Sequence, residues 1–198
     1  MESTKIIGLT GGIGSGKSTI AGYLRSEGFD VYSSDLAARR IINSDEEVKK
    51  QIVALFGSEA YSDGILDRKF VGQRVFINSA LLEQLNRIVH PRVFDDLRDF
   101  AYRSNNELVI VESAILFESG LAQLCNAVVC VVAPVEVRIE RVLLRDGITR
   151  EQAVERINNQ MSDEDLSKRS SLVIINDKNA KISELGLEVS KFLRNFVG

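Results

Sequence analysis

The sequence contains no tryptophan, one histidine, two prolines and two cysteines. Each shortage closes an option. Without tryptophan, a closing motion of this chain produces no native indole signal. Cys125 and Cys130 match neither a C-x-x-C motif nor a zinc spacing, and His90 is far from both. They read as buried thiols of a reducing compartment, because free cysteine is among the most buried residue types. Cations are not in excess: 25 Lys and Arg face 28 Asp and Glu, for a net charge of −3. No bulk basic field therefore draws the chain to nucleic acid or to an anionic membrane. No apolar run approaches the ~20 residues of a membrane-spanning helix. The N-terminal stretch has no basic region followed by a long apolar run, so no signal peptide is expected. These absences predict a cytoplasmic chain with no nucleic-acid or membrane partner. It is read as a monomer that holds an anionic small molecule through local positive groups.

What is present is ordinary for a globular protein. The 198 residues are 44% hydrophobic and 27% charged. That predicts one domain, or one domain with insertions, able to bury roughly 70% of its unfolded surface without a metal or disulfide staple. Lys5 to Thr10 is a short apolar run that reads as a strand buried on both faces. Lys17 to Ser26 has helical spacing, with Ile20, Tyr23 and Leu24 on one face and Gly28 as the stop. Phe29 to Tyr32 is a second strand. From Leu36 to Ser104 no strong strand occurs. Helices are expected over 36–42, 46–56 and 68–77 and from Ala80 onward, with Pro91 starting a further helix. Ser62-Asp63-Gly64 is a turn signal.

Glu107 to Val111 is a third strand, closed by Glu112. Ala127 to Ala133 is a fourth, stopped by Pro134. A helix over 135–145 breaks at Asp146-Gly147, and Thr149 with Gln152 forms a capping box for the next helix. Ser171 to Ile175 is a fifth strand, followed by a closing amphipathic helix over 182–196. Strands alternating with helices predict an α/β fold with a parallel sheet covered on both faces.

Gly11-Gly12-Ile13-Gly14-Ser15-Gly16-Lys17-Ser18 follows the pattern Gly-x-x-x-x-Gly-Lys-Ser. Each part has a task. Gly12, Gly14 and Gly16 allow the backbone to approach a phosphate closely, with Ser15 among them. Backbone N–H groups then converge on the β-phosphate at the positive end of a helix. Lys17 reaches the β- and γ-phosphates, the Ser18 hydroxyl is placed for Mg²⁺, and Thr19 is placed for the α-phosphate. A ligand-free glycine turn leaves Lys17 unexplained, since a cation at a helix start opposes the dipole. ATP and Mg²⁺ are the expected cofactors.

The pattern alone does not separate kinases from other P-loop proteins. No Asn-Lys-x-Asp follows the fourth strand, where Ala133-Pro134-Val135-Glu136 stands instead, so guanine specificity is unsupported. Motor and helicase ATPases are usually longer. A small-molecule kinase needs a group that orients or deprotonates the acceptor. Asp35 lies just past the second strand, where ligands of parallel sheets bind; a helix cap is its plain alternative. Glu112, ending the third strand, is placed for a metal-bound water or for the acceptor. Arg138, Arg141 and Arg145 recur on one helical face. The break at Asp146-Gly147 then permits a lid that brings arginines to the phosphates. Arg141 and Arg145 are the catalytic candidates, with Arg138, Arg150 and Arg156 left as solvated charges. His90-Pro91 is either a helix-start turn or an acceptor contact.

Taken together, these strings resemble the dephospho-coenzyme A kinases. The resemblance is carried by Leu9-Thr10 with the glycine loop through Thr19, by Asp35 before Ala37-Ala38-Arg39, and by His90-Pro91. It continues through Leu116-Phe117-Glu118, Arg145-Asp146-Gly147, Arg156-Ile157, Gln160-Met161 and Asn176. It covers nearly the whole chain. It implies a three-layer P-loop NTPase fold: a five-stranded parallel sheet with helices on both faces, an inserted helical acceptor domain and a lid. The core would be about 1–35, 105–135 and 170–198, the insertion about 36–104, and the lid about 138–169.

The implied reaction is ATP-dependent phosphorylation of the ribose 3′-hydroxyl of dephospho-coenzyme A. Asp35 would accept the hydroxyl proton, Lys17 and the lid arginines would neutralise charge, and Asn176 would lie by the adenine. His90, Glu112 and Glu118 would belong to the acceptor side. The family usually has Asp-Ala-Asp where Ser33-Ser34-Asp35 stands. It usually has Asp-x-Pro-Leu-Leu where Glu112-Ser113-Ala114-Ile115-Leu116 stands. The second change can move the acceptor contact by about an ångström, a displacement that can cost ~10²-fold in rate. Another small-molecule kinase of this fold, or a regulatory module that binds ATP without transferring phosphate, stays open at this point. Acceptor-dependent product distinguishes them.

Overall fold

The computed structural model describes residues 4–197. In chain order the elements are β1 (Lys5–Thr10), α1 (Lys17–Ser26), β2 (Asp30–Ser33), α2 (Ser34–Ser44), α3 (Glu46–Phe56), β3 (Tyr61–Ser62) and β4 (Ile65–Leu66). They continue with α4 (Arg68–Ile77), α5 (Ser79–Arg103), β5 (Leu108–Glu112), β6 (Ala127–Val132) and α6 (Val135–Asp146). The chain ends with α7 (Arg150–Asn158), α8 (Asp163–Lys168), β7 (Leu172–Ile175) and α9 (Ile182–Arg194). Two compact units result. One runs through Ser33 and resumes at Phe100; the other is Ser34–Asp99.

The first unit is built on a five-stranded parallel sheet in the order β2-β5-β1-β6-β7. The middle strands read as continuous apolar runs because helices cover both faces. All five residues of β5 are buried. One face packs Ile7, Leu9, Ile110, Val129 and Val131 against Ile20 and Leu24 of α1 and Val189 and Leu193 of α9. The opposite face, at Gly8, is closed by Leu116, Cys125 and Val128. A second, smaller core lies between α6 and α7, where Ile139, Val142 and Ala153 enclose Ile13 from the glycine loop. From β1 the chain crosses to the edge strand β2, returns through β5 between β2 and β1, and then moves outward on the other side through β6 and β7. The reversal at β1 opens a crevice at the carboxyl ends of the strands, the usual ligand position in such sheets.

The second unit is helical. Asp45 caps α3 by accepting from the N–H groups of Glu47 and Val48, and Asp67 caps α4 through Lys69 and Phe70. The predicted turn at Ser62-Asp63-Gly64 is present, with Asp63 and Gly64 at φ 51° and 78°. It joins β3 and β4 into a two-residue hairpin that alternation in the sequence was too short to reveal. One expectation fails. Pro91 does not start a helix but lies inside α5, which runs unbroken. Proline removes only one backbone donor there. Buried Val89, Val93 and Leu97 repeat every four residues on either side of it, so one apolar stripe holds the helix in register.

Candidate active site

The glycine loop joins the end of β1 to the start of α1. Helix α1 starts with the Thr19 and Ile20 N–H groups bonded to the Gly16 carbonyl at 3.0 and 3.2 Å. Its first turn holds no acidic residue, so the positive end of the helix is left for an external anion. Gly16 sits at φ 95°, and a Cβ there would strike the Asn176 amide nitrogen. Only glycine satisfies both the left-handed backbone and that close approach. Lys17 is half-buried, while Ser18 and Thr19 are exposed.

A loop that aims N–H groups inward must turn carbonyls outward, and those carbonyls need donors. Three consecutive ones receive them. The Ile13 carbonyl accepts from Arg138 Nε at 2.9 Å. The Gly14 and Ser15 carbonyls accept from Arg141 Nη1 at 3.2 and 3.3 Å. The Ser15 carbonyl also accepts from Asn176 Nδ2 at 2.8 Å. Arg141 Nη2 donates in turn to Asn176 Oδ1 and to the Asp177 carbonyl, both at 3.3 Å. Asn176 is itself buried, and its N–H bonds the Val132 carbonyl at 2.8 Å. Thr10 and Ser15 have buried hydroxyls with no protein partner among the described residues.

Glu112 is the last residue of β5, in register with Leu9 on one side and Ser33 on the other. The Ser18 hydroxyl donates to its carboxylate at 2.5 Å. This sets a hydroxyl and a carboxylate oxygen side by side at the start of α1. Both are hard oxygen donors suited to Mg²⁺, which takes one or two protein ligands and completes its shell with phosphates and water. Among the described residues no cluster of three or more His, Cys, Asp or Glu forms a closed metal cage.

Helix α2 begins at Ser34, directly after β2, so Asp35 is exposed within its first turn rather than capping it. His90 belongs to the helical unit, stacks on Phe94 at 6.5 Å between ring centroids, and has its pKa lowered by burial. Glu118 is exposed and accepts from the Met161 N–H at 3.2 Å. Arg145 is exposed and bonds its neighbour Asp146, with Nε to Oδ1 at 2.7 Å. Arg156 bonds the same carboxylate at 2.9 Å. These arginines, Arg145 first, hold Asp146 below the usual carboxylate range. Thr149 and Gln152 form the expected capping box of α7. Both cysteines are free thiols, and burial pushes each up to about 12.

Two loop-contacting residues, Arg138 and Gln160, and the partner of one of them, Asp163, were given no such role by the sequence reading. Arg138, expected to be a solvated charge, is 3% exposed. Gln160 Oε1 accepts from the Ile13 N–H at 2.7 Å. Asp163 pairs with Arg138 at 2.8 Å. The available signal was the placement of Arg138 between Val137 and Ile139 on the buried side of α6.

Comparison with known proteins gives a consistent result. A family model described as dephospho-CoA kinase matches residues 5–182. A dephospho-CoA kinase of Bacteroides fragilis is 39% identical over 94% of this chain and 92% of its own length. A crystal structure from Thermus thermophilus superposes with a TM-score of 0.86 at 34% identity, covering 100% of both chains. A dephospho-CoA kinase structure from Campylobacter jejuni gives a TM-score of 0.67 at 25% identity over 96% of this chain and 95% of that one.

Proposed function

Because this chain belongs to the dephospho-CoA kinase family and is a phosphotransferase of coenzyme A biosynthesis, we propose that it moves the γ-phosphoryl group of ATP onto the ribose 3′-hydroxyl of dephospho-coenzyme A. The observation that carries this reading is the braced glycine loop, with the Ser18–Glu112 pair beside it. In the proposed reaction the 3′-oxygen forms a bond to the γ-phosphorus as the bond from that phosphorus to the β,γ-bridging oxygen breaks. ADP leaves with the bond's electron pair, and Asp35 takes the hydroxyl proton. The loop N–H groups and Lys17 hold the nucleotide phosphates, with Gly12, Gly14, Ser15, Ser18 and Thr19 as contacts. Arg141 and Arg145 counter the charge on the transferring group, and phosphoryl transfer asks little more than such alignment and neutralisation.

Ser18 and Glu112 would hold Mg²⁺, which, when bound, neutralises phosphate oxygens. The helical unit Ser34–Asp99 would supply the acceptor side through Asp35 and His90. The segment from α6 to α8 would act as the lid, with Asn176 at the nucleotide-base end of the site and Glu118 toward the acceptor. Among the described residues no helix is long and apolar enough to cross a membrane. The reading places the enzyme in the cytoplasm as a monomer.

The test is ADP release from the purified protein with Mg-ATP, with and without dephospho-coenzyme A, and with the product identified by mass. Acceptor-dependent ADP together with coenzyme A is the expected result. Background ADP in the presence of acceptor would defeat the substrate assignment.

A further inference from the structure

Arg138 is the most buried charged side chain described, and no step of the proposed reaction uses it. Its surroundings converge on a single residue of the glycine loop, Ile13. Ile13 packs its side chain into the small core between α6 and α7. Its N–H is taken by Gln160 and its carbonyl by Arg138 Nε. The other end of the guanidinium bonds Asp163, the first residue of α8, at 2.8 Å. The guanidinium also lies against Gly12, where an added Cβ would come within 2.6 Å of Cζ. A larger residue at 12 would therefore displace Arg138 from the loop.

Burying a guanidinium is costly unless it is both paired and hydrogen-bonded, and a well-packed apolar residue commonly stabilises a fold as much. Stability alone does not account for this arrangement. Its geometry does one specific thing: it holds both backbone polar groups of Ile13, and so the two peptide units that flank it, from outside the loop. That fixes the backbone where the loop turns, beside the Ser15 N–H, which closes back on the Gly12 carbonyl at 3.1 Å.

We propose that Arg138 is a positioning residue for phosphate binding. Bonded to the Ile13 carbonyl, it presets the loop in its binding-competent form, and through Asp163 it ties that form to the start of α8. The proposal rests on the loop being the nucleotide phosphate site. Without Arg138 the loop spends part of its time in other conformations, and apparent affinity falls by the competent fraction. Once nucleotide is bound the loop is ordered again, so chemistry proceeds as before. The loss belongs in the KM for nucleotide, with kcat at saturation and the KM for acceptor retained. A merely structural role does the opposite: fewer folded molecules lower kcat and leave KM unchanged.

The experiment compares wild type with Arg138→Met, Arg138→Lys and Gln160→Ala. It uses calorimetric titration with ATP and steady-state kinetics with dephospho-coenzyme A. Arg138→Met is expected to weaken ATP binding by about tenfold, the scale of a lost hydrogen bond to a charged group. Arg138→Lys keeps the charge but not the fork that spans Ile13 and Asp163, and is expected to weaken binding in the same direction. Gln160→Ala frees the Ile13 N–H, on the preceding peptide unit, and leaves the buried pair of Arg138 and Asp163 intact. It carries the test if Arg138→Met does not fold. Wild-type ATP affinity in Gln160→Ala and Arg138→Lys, or a loss confined to kcat, overturns the proposal. If wild type itself fails to bind ATP, the phosphate-site reading has failed and this inference falls with it.

Discussion

The glycine loop and the helical unit hold their functional residues under opposite conditions. Around the loop, three successive carbonyls have protein donors, and the residues that reach them are buried or half-buried. In the helical unit, Asp35 stands exposed in the first turn of a helix, and His90 is half-buried against one aromatic ring. The difference follows from the two tasks. A phosphate is recognised by converging backbone dipoles, which act only if the backbone is held in place before the ligand arrives. An acceptor hydroxyl is recognised by a side chain that must first meet solvent and then the substrate. In the proposed reading, the loop assigned to the phosphate chain is braced by protein donors, and Asp35, assigned to the acceptor, is left accessible.

The largest effect expected from this contrast is at Lys17, the one cation of the glycine loop and, in the proposed reaction, its charged contact to the phosphates. Lys17→Ala is expected to abolish turnover while leaving the fold intact, as judged by circular dichroism and coupled ADP assay. Appreciable activity in that variant would remove the loop from the chemistry altogether. Asp35→Asn probes the other side. Loss of a general base costs ~10²–10⁴ in kcat, and nucleotide affinity should stay near wild type because Asp35 belongs to the acceptor side. A variant with full kcat would sink the base assignment, and one with weakened ATP binding would count against the proposed division of roles between the two regions.

Glu112 sharpens the comparison from within the rigid region. Its carboxylate holds the Ser18 hydroxyl at 2.5 Å. Glu112→Gln keeps the size and a hydrogen-bonding oxygen but removes the charge. The Mg²⁺ concentration for half-maximal rate is expected to rise by roughly 10–100-fold, the range for losing a supporting group at a metal site. An unchanged requirement with a raised KM for dephospho-coenzyme A would move Glu112 to the acceptor instead.

The same contrast explains what was legible in the sequence. The loop, its strand and its helix announce themselves through the order of glycines, Lys17 and Ser18, because each residue type answers a local backbone demand. The strand end at Glu112 was legible because apolar runs stop at charges. The brace behind the loop was not. Arg138 and Gln160 reach Ile13 across 125 and 147 residues of chain, and no local pattern encodes a bond to a backbone carbonyl so distant. A charged residue in an amphipathic helix reads as solvated unless its burial is known. Pro91 misled for the converse reason: its local rule was outweighed by the apolar stripe of α5, which only packing makes decisive.

The smallest expected effect concerns His90, and it tests the acceptor side directly. Burial lowers its pKa from the ordinary value of 6.5, with no resolved contribution from a charged neighbour. The sign follows from linkage. The fold favours the neutral imidazole, so this contribution to stability is fully present above about pH 6.5. It is lost as the pH falls below that value, because the unfolded chain takes up its proton first. With one histidine in the chain, a single imidazole C–H resonance reports the titration. Its midpoint is expected below 6.5 in the free enzyme. Adding dephospho-coenzyme A then separates two roles. An anionic acceptor close to the ring favours the imidazolium and raises the midpoint. A midpoint indifferent to the acceptor would leave His90 as a packing residue against Phe94. The acceptor side would then rest on Asp35 alone within the helical unit, the most open arrangement the comparison allows.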